Sequence, residues 1–224
     1  LGGFGPGAKF IGMLPQSVFA AGITADSENR TVRYDTLPKS DNDSQGVSAR
    51  LSVNIGDFQL VSITASDEWD YSNSEDVDLG ELDVMAMLTG GLLHGGWFSD
   101  SLRELEFFSQ ELRLLSPMYD NYDYLLGFYY SDAEVDRSFF RNLPIAPANF
   151  VAYAGNENYA FFGQLNWRPS DLTTVSMGLR YVSEEMSTEV KDFAAATPIT
   201  YVADDDDNAV TGKISVQHSL NNEH

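Results

Sequence analysis

The chain has 224 residues, no cysteine and a formal net charge of −21. That length is room for one large β domain or two small ones. The charge argues against a nucleic-acid partner, whose phosphates demand a basic surface, and the lack of cysteine excludes disulfides and thiolate chemistry.

No window holds 18 consecutive apolar residues, so no membrane-spanning helix is expected. A β-barrel stays open, because each barrel strand shows only half its residues to lipid. The chain begins at Leu1 with no basic and apolar leader behind it and stops at the turn-like SLNNEH, which suggests an internal segment of a longer protein.

Residues 1–46 are rich in Gly, Pro, Asn, Asp and Ser and read as a long loop region with a short strand near RTVRYD. The glycines of GGFGPG (2–7) have no strand before them and no helix after them, so they make no phosphate loop. Strand signals begin at 47–55, where Val47, Ala49, Leu51, Val53 and Ile55 alternate with polar residues. Gly56-Asp57 is a two-residue hairpin signal, and 58–70 continues as the second strand. Residues 71–103 lose the pattern, with room for a short helix inside DVDLGELDVMAMLTGGLL. Further strands are predicted at about 104–115, 122–131, 158–168, 172–183 and 209–219.

The connections between these spans run roughly 2, 33, 6, 26, 3 and 25 residues. Consecutive antiparallel strands put every other connection at the same end, so one end has tight turns and the other long loops. That asymmetry is the mark of outer-membrane barrels, whereas soluble sandwiches with Greek-key crossings rarely keep such order. The three long connections carry 18 acidic and 4 basic residues, −14 of the −21, which keeps charge away from the apolar bands. Arg50, Arg113 and Arg180 all fall on the polar face of their strand, where they can sit in a lumen; on a lipid face each would cost about 2–4 kcal/mol. Trp69, Tyr71, Tyr129, Tyr130, Tyr159, Phe161, Trp167 and Tyr181 lie near strand ends, as interfacial girdles do.

Little chemistry is legible. His94, His218 and His224 are scattered, and no metal site or cofactor is expected. DDDDN (204–208) lacks the spacing of a calcium loop and reads as a solvated loop tip, with a surface cation site bridging lipid phosphates as the other reading. Glu184 and Glu185 are adjacent on a strand and point to opposite faces, a poor acid/base pair. Ser116 has no base nearby, and no catalytic constellation is visible, so no enzyme is expected. Glu111 and Arg113 share a polar face and, with Arg180, are the candidate lumen residues for ligand contact; pairing with charges on neighbouring strands is the structural reading of the first two.

FQLVSITASDEWD, FSQELRLLSP followed by YLLGFYYS, YAFFGQLNWRPSDLTTVSMGLRYVSEE and DDDDNAVTGKISVQHSL resemble the barrel of TonB-dependent outer-membrane receptors, over about residues 30–222. The resemblance implies an all-β antiparallel transmembrane barrel of 22 strands, of which about seven meander strands are present. The expected division is an extracellular loop region at 1–46 and a partial barrel at 47–224, with plug domain and C-terminal strands absent. It further implies a bacterial outer-membrane location, contact with membrane lipid, and TonB acting through the missing plug. The cargo would be a scarce small-molecule nutrient, most commonly a ferric siderophore, held by the loops at 71–103, 132–157 and 184–208. The acidic loops disfavour strongly anionic cargo, which Arg137 and Arg141 could reverse. The rival readings are an outer-membrane porin or adhesin without TonB coupling, and a secreted soluble β-sheet protein acting on carbohydrate.

Overall fold

The computed structural model describes residues 27–220, apart from 29, 32, 79, 144 and 145. GGFGPG, His224 and most of the 1–46 loop region therefore lie outside the described residues. The strands are β1 (Lys39–Ile55), β2 (Phe58–Asp76), β3 (Phe98–Leu115), β4 (Tyr122–Arg141), β5 (Ala148–Ser170), β6 (Thr173–Asp192) and β7 (Ile199–His218). One short helix, α1 (Val84–Thr89), stands between β2 and β3. The strands form a single sheet in the order β1-β2-β3-β4-β5-β6-β7, each antiparallel to the next. Among the described residues β1 and β7 each pair on one side only, so the sheet is open.

All seven predicted strands are present, and the predicted short helix is α1. Their lengths differ from expectation. The strands run 17 to 23 residues, where about 9–11 suffice to cross a bilayer. Apart from two residues at the turn end of β5, the extra length is at one end. The connections predicted at 71–103, 132–157 and 184–208 shrink to 77–97, 142–147 and 193–198, because most of their residues belong to strands. These extensions mix polar and apolar residues on both faces, Phe139 and Phe150 among them, so they carry no clean period-two signal; only the cross-strand ladder reveals them. The DDDD run is not a loop tip but part of β7, where Asp204 and Asp206 share one face and Asp205 and Asp207 the other. The strand expected near RTVRYD is absent from its described residues.

The ladder register sorts side chains into rows across the sheet. One row reads Val53, Leu60, Leu114, Leu126, Gly163, Leu179 and Gly212; the next reads Leu51, Ser62, Leu112, Phe128, Phe161, Tyr181 and Val210. Together with the rows beside them they make an apolar band near the tight-turn end, and none of the described residues covers it. Leu51 and Leu179 are each 63% exposed and Phe161 59%. The band ends at Val47 on β1 and at Val210 on β7, two rows lower, a drift that strand tilt produces. The opposite face is polar yet crowded: Ala160 is 0% and Val61 1% exposed although no second layer lies over them. Side chains converge in this way on the concave side of a curved sheet.

Aromatic rings mark both edges of the band. Tyr119 and Tyr122 stack at 4.7 Å, and Tyr122 pairs with Trp167 at the turn end. Tyr130 lies 4.9 Å from Tyr159 and 6.3 Å from Phe108 at the other edge. Trp69, Tyr71 and Tyr129 do not join these girdles, because their register turns them to the polar face.

Two local devices shape the meander. Gly56 takes φ 61° in the β1–β2 turn, a left-handed conformation that glycine adopts without strain. Pro169 brings no backbone N–H to the β5–β6 ladder, and the register slips between Trp167 and Ser170.

Candidate functional site

The polar face carries two clusters at different heights. The lower one sits behind the apolar band and contains the residues expected from the sequence. Arg113 donates through Nε to Glu111 Oε1, so these two satisfy each other. Arg180 lies 5.8 Å from the Tyr129 ring and 5.6 Å from the Phe162 ring, between the two aromatics. Glu111 pairs across the ladder with Tyr129, Arg113 with Gly127, Gly127 with Phe162, and Phe162 with Arg180. The structure thus gathers Glu111, Arg113 and Arg180 into two neighbouring rows, each already holding a partner from this chain.

The upper cluster stands on the strand extensions. Arg103 of β3 directly opposes Arg137 of β4. The Arg103 guanidinium lies 5.8 Å from the Tyr71 ring; that of Arg137 lies 5.5 Å from Phe139 and 5.3 Å from Phe150. The Nε atoms of both, with Ser101 Oγ one row away, are buried and hydrogen-bonded to nothing. The sequence marked Arg137 but assigned it to a loop, and placed Arg103 at the end of one. The available signal was parity: Ser101 and Arg103 fall in step with Arg113 once β3 is extended backwards.

At the same end, the 77–97 connection folds on itself. Asp78 Oδ1 accepts from Gly80 N (3.0 Å) and Oδ2 from Trp97 N (2.7 Å), which ties the two ends of the connection together. Asp83 caps α1 by accepting from Ala86 N at 2.9 Å, and its other oxygen meets His94 Nδ1 at 2.7 Å, which holds the Asp83 carboxyl below its usual range. His94 is therefore a loop tie rather than an isolated polar residue. Asn142 accepts from Phe98 N and donates to Gly96 O, each at 2.9 Å, joining this connection to the β4–β5 one. Val84, Met85, Trp97 and Leu143 are the buried apolar residues here.

Asp35, Asp76 and Asp78 bring carboxylate oxygens within 4.8 Å of one another, a donor set of the type hard divalent cations use. No spacing rule could show it, since Asp35 is far from the other two in sequence. Burial pushes the Asp78 carboxyl up to about 7, with Asp76 and Asp35 adding to the shift. A carboxyl raised in the folded state gives its full stabilisation below the unfolded value of about 3.9 and loses it as pH climbs to about 7. Amide protection across 77–97 is accordingly expected to be stronger at pH 5 than at pH 8 by hydrogen exchange, corrected for intrinsic rates. Asp78→Asn should flatten that dependence; equal protection at both pH values would contradict it.

The apolar face above the band is acidic. Its first row reads Asp132, Glu157, Glu185 and Asp206 across β4 to β7; further up, Glu68, Glu106 and Glu134 form a row, then Asp70, Glu104 and Asp136. Like charges directly opposed are unfavourable, so these rows belong in water rather than hydrocarbon. The band, its girdles and this belt define a height scale for the sheet.

A family model described as TonB dependent receptor-like, beta-barrel, matches residues 4–224. Among solved structures, the ferric yersiniabactin uptake receptor FyuA from Yersinia pestis matches at TM-score 0.63 and 19% identity, over 83% of this chain and 27% of that one. At that identity the likeness shows the fold, and the chain spans about a quarter of the receptor's length. No curated protein matches the sequence.

Proposed function

The chain belongs to the TonB-dependent receptor β-barrel family, and from that premise we propose that its seven strands are one sector of a bacterial outer-membrane barrel importing a scarce nutrient. The family consists of transporters, not enzymes. The observation that carries the reading is the apolar band, which crosses all seven strands, is edged by aromatics, and has no layer over it among the described residues. Hydrocarbon tails complete it, the concave polar face lines the lumen, and the acidic strand extensions stand in the water outside. The wall begins before residue 47, because Lys39–Gly46 are already paired in β1 above the band, and it runs to the end of β7 at His218. Unpaired edges at β1 and β7 call for further strands to close the barrel.

Transport is proposed to follow the family's scheme: cargo captured at the outer mouth, then passage energised by TonB through a plug domain. A ferric siderophore is the proposed cargo, in keeping with the fold shared with FyuA, a ferric yersiniabactin uptake receptor. The test is radioiron uptake by cells expressing the full-length receptor, with and without TonB. Uptake that needs both supports the reading; uptake that persists without TonB favours a passive porin. A receptor recovered as a soluble monomer without detergent would remove the membrane assignment.

A further inference from the structure

We propose that Leu102, Phe140, Val151 and Phe193 form a protein-docking patch on the outer flank of the strand extensions, which takes a partner whose contact surface sets apolar side chains within a basic rim; the outward placement rests on the transport reading above. Leu102, Phe140 and Val151 lie on the same face as the apolar band. Leu102 is 53% exposed and the other three 40–42%. The ladder makes them one surface. Leu102, Ser138, Val151 and Lys191 form a row, and Asp100, Phe140 and Asn149 form the next. Phe140 is therefore diagonal to both Leu102 and Val151, a spacing that large side chains bridge. Phe193, one residue past β6, continues the ladder by donating its backbone N–H to Asn149 O at 2.7 Å, which extends the patch across β5. Phe98 backs Phe140 at 5.8 Å.

Hydrocarbon does not cover this patch. Leu102 stands six residues above Phe108 on β3, about 20 Å along the strand. Three acidic rows lie between the Tyr130–Tyr159 edge of the band and the patch: Asp132 with Glu157, Glu106 with Glu134, and Glu104 with Asp136. An apolar surface standing in water above such a belt marks contact with another protein. Charge selects which. Glu104, Asp136 and Glu189 line the lower edge of the patch and Asp100 the upper. Lys191, the cation in its row, is tied to Glu189 at 2.6 Å. A second copy would set these carboxylates against its own, and like-charge juxtaposition opposes that contact. Residues 1–26 carry one lysine and one aspartate, so they supply no basic rim. A partner with apolar anchors ringed by lysines and arginines fits both features. Its anchors cover the rings and leucine at the centre, and its cations reach the carboxylates around them, the usual division of an interface into apolar core and polar rim.

The test uses the full-length receptor in phosphatidylcholine nanodiscs and three dye-labelled peptides of equal length. One consists of lysines with two phenylalanines, the second has serine for phenylalanine, and the third has glutamate for lysine. Fluorescence anisotropy, read against empty nanodiscs, is expected to rank the lysine–phenylalanine peptide tightest. Each exchange should cost about tenfold, and affinity should fall with added salt. Leu102→Ser with Phe140→Ser should bring that peptide down to the level of the serine peptide. Glu104→Gln with Asp136→Gln should weaken it about tenfold and flatten the salt dependence. Heat-modifiable gel mobility reports folding of both pairs; if the serine pair fails to fold, the glutamine pair decides. In cells, a photo-crosslinking residue in place of Val151 is expected to give an adduct that mass spectrometry identifies as a basic protein, and the glutamine pair should abolish it. Equal affinity of the three peptides, or binding unchanged in the variants that fold, overturns the patch. A crosslink only to surface glycan or lipid, to another receptor copy, or to nothing also overturns it. Outer-membrane fractionation of the wild type is read separately. Its failure removes the transport reading, while the peptide ranking still decides the patch.

Discussion

Leu179→Arg is expected to destabilise the membrane-inserted barrel by about 2–4 kcal/mol, the cost of an arginine at the bilayer midplane. Leu179 lies in the middle of the β6 part of the band, between Met177 and Tyr181 on the same face, and is 63% exposed. In a soluble protein such an exposed position would accept arginine at almost no cost, since surface changes stay within about 0.5 kcal/mol. The two solvents therefore predict opposite results from one substitution. Gln164→Arg is the matched control: it sits on β5 one row from Leu179, on the polar face, with its amide bonded to Asn166 at 2.9 Å. A lumen-facing arginine there is expected to cost little. Urea unfolding of the full-length receptor in lipid vesicles measures both. Equal costs for the two variants would mean that lipid does not cover the band.

Gly127→Ala is expected to cost about 1–3 kcal/mol, the usual penalty for overpacking. A Cβ at Gly127 would overlap the far edge of the Phe162 ring, which lies across the glycine on the neighbouring strand. The ring cannot simply step aside, because Arg180 stacks on it at 5.6 Å and on Tyr129 at 5.8 Å. Glycine is thus required here by close approach, not by backbone angle. Gly178 supplies the comparison. It is also on the polar face, but an added Cβ would meet only the Gly163 carbonyl at 3.7 Å. Gly178→Ala should be neutral or stabilise by up to about 1 kcal/mol through the unfolded chain. In a Phe162→Leu background the cost of Gly127→Ala should shrink, and a double-mutant cycle measures that coupling. Additive effects would show that the ring is not what the alanine displaces.

The aromatic expectation shows where sequence reading was strong and where it failed. Tyr130, Tyr159 and Trp167 were placed correctly because each lies inside a strand whose alternation is visible. Trp69 and Tyr71 differ from expectation because the alternation of the sequence fades near residue 70, whereas β2 continues to Asp76 and carries both rings above the band on the polar face. They stack there at 5.7 Å, as part of the wall beside Arg103 rather than at a lipid interface.

The candidate site divides in the same way. Glu111, Arg113 and Arg180 are legible because they occupy the polar positions of a clean alternation, on the face behind the band, and they are held by each other or by rings. Arg103 and Arg137 were not legible as a pair. Their opposition depends on a register set by the whole β3–β4 ladder, and the aspartate trio depends on a contact between Asp35 and the end of β2.

What the amino-acid order determined alone is the band: seven stretches of period-two alternation, their antiparallel succession, and which side chains face the apolar solvent. A hydrocarbon layer on one face forces polar and apolar residues to alternate, so that part of the fold is written locally. The strand extensions, the arginine pair and the folded connection at 77–97 were decided only in three dimensions. Above the band polar and apolar residues occur on both faces, as Phe139 against Phe150 and Phe98 against Phe140 show, so no strict period marks the sequence and backbone pairing with neighbouring strands sets length and register instead.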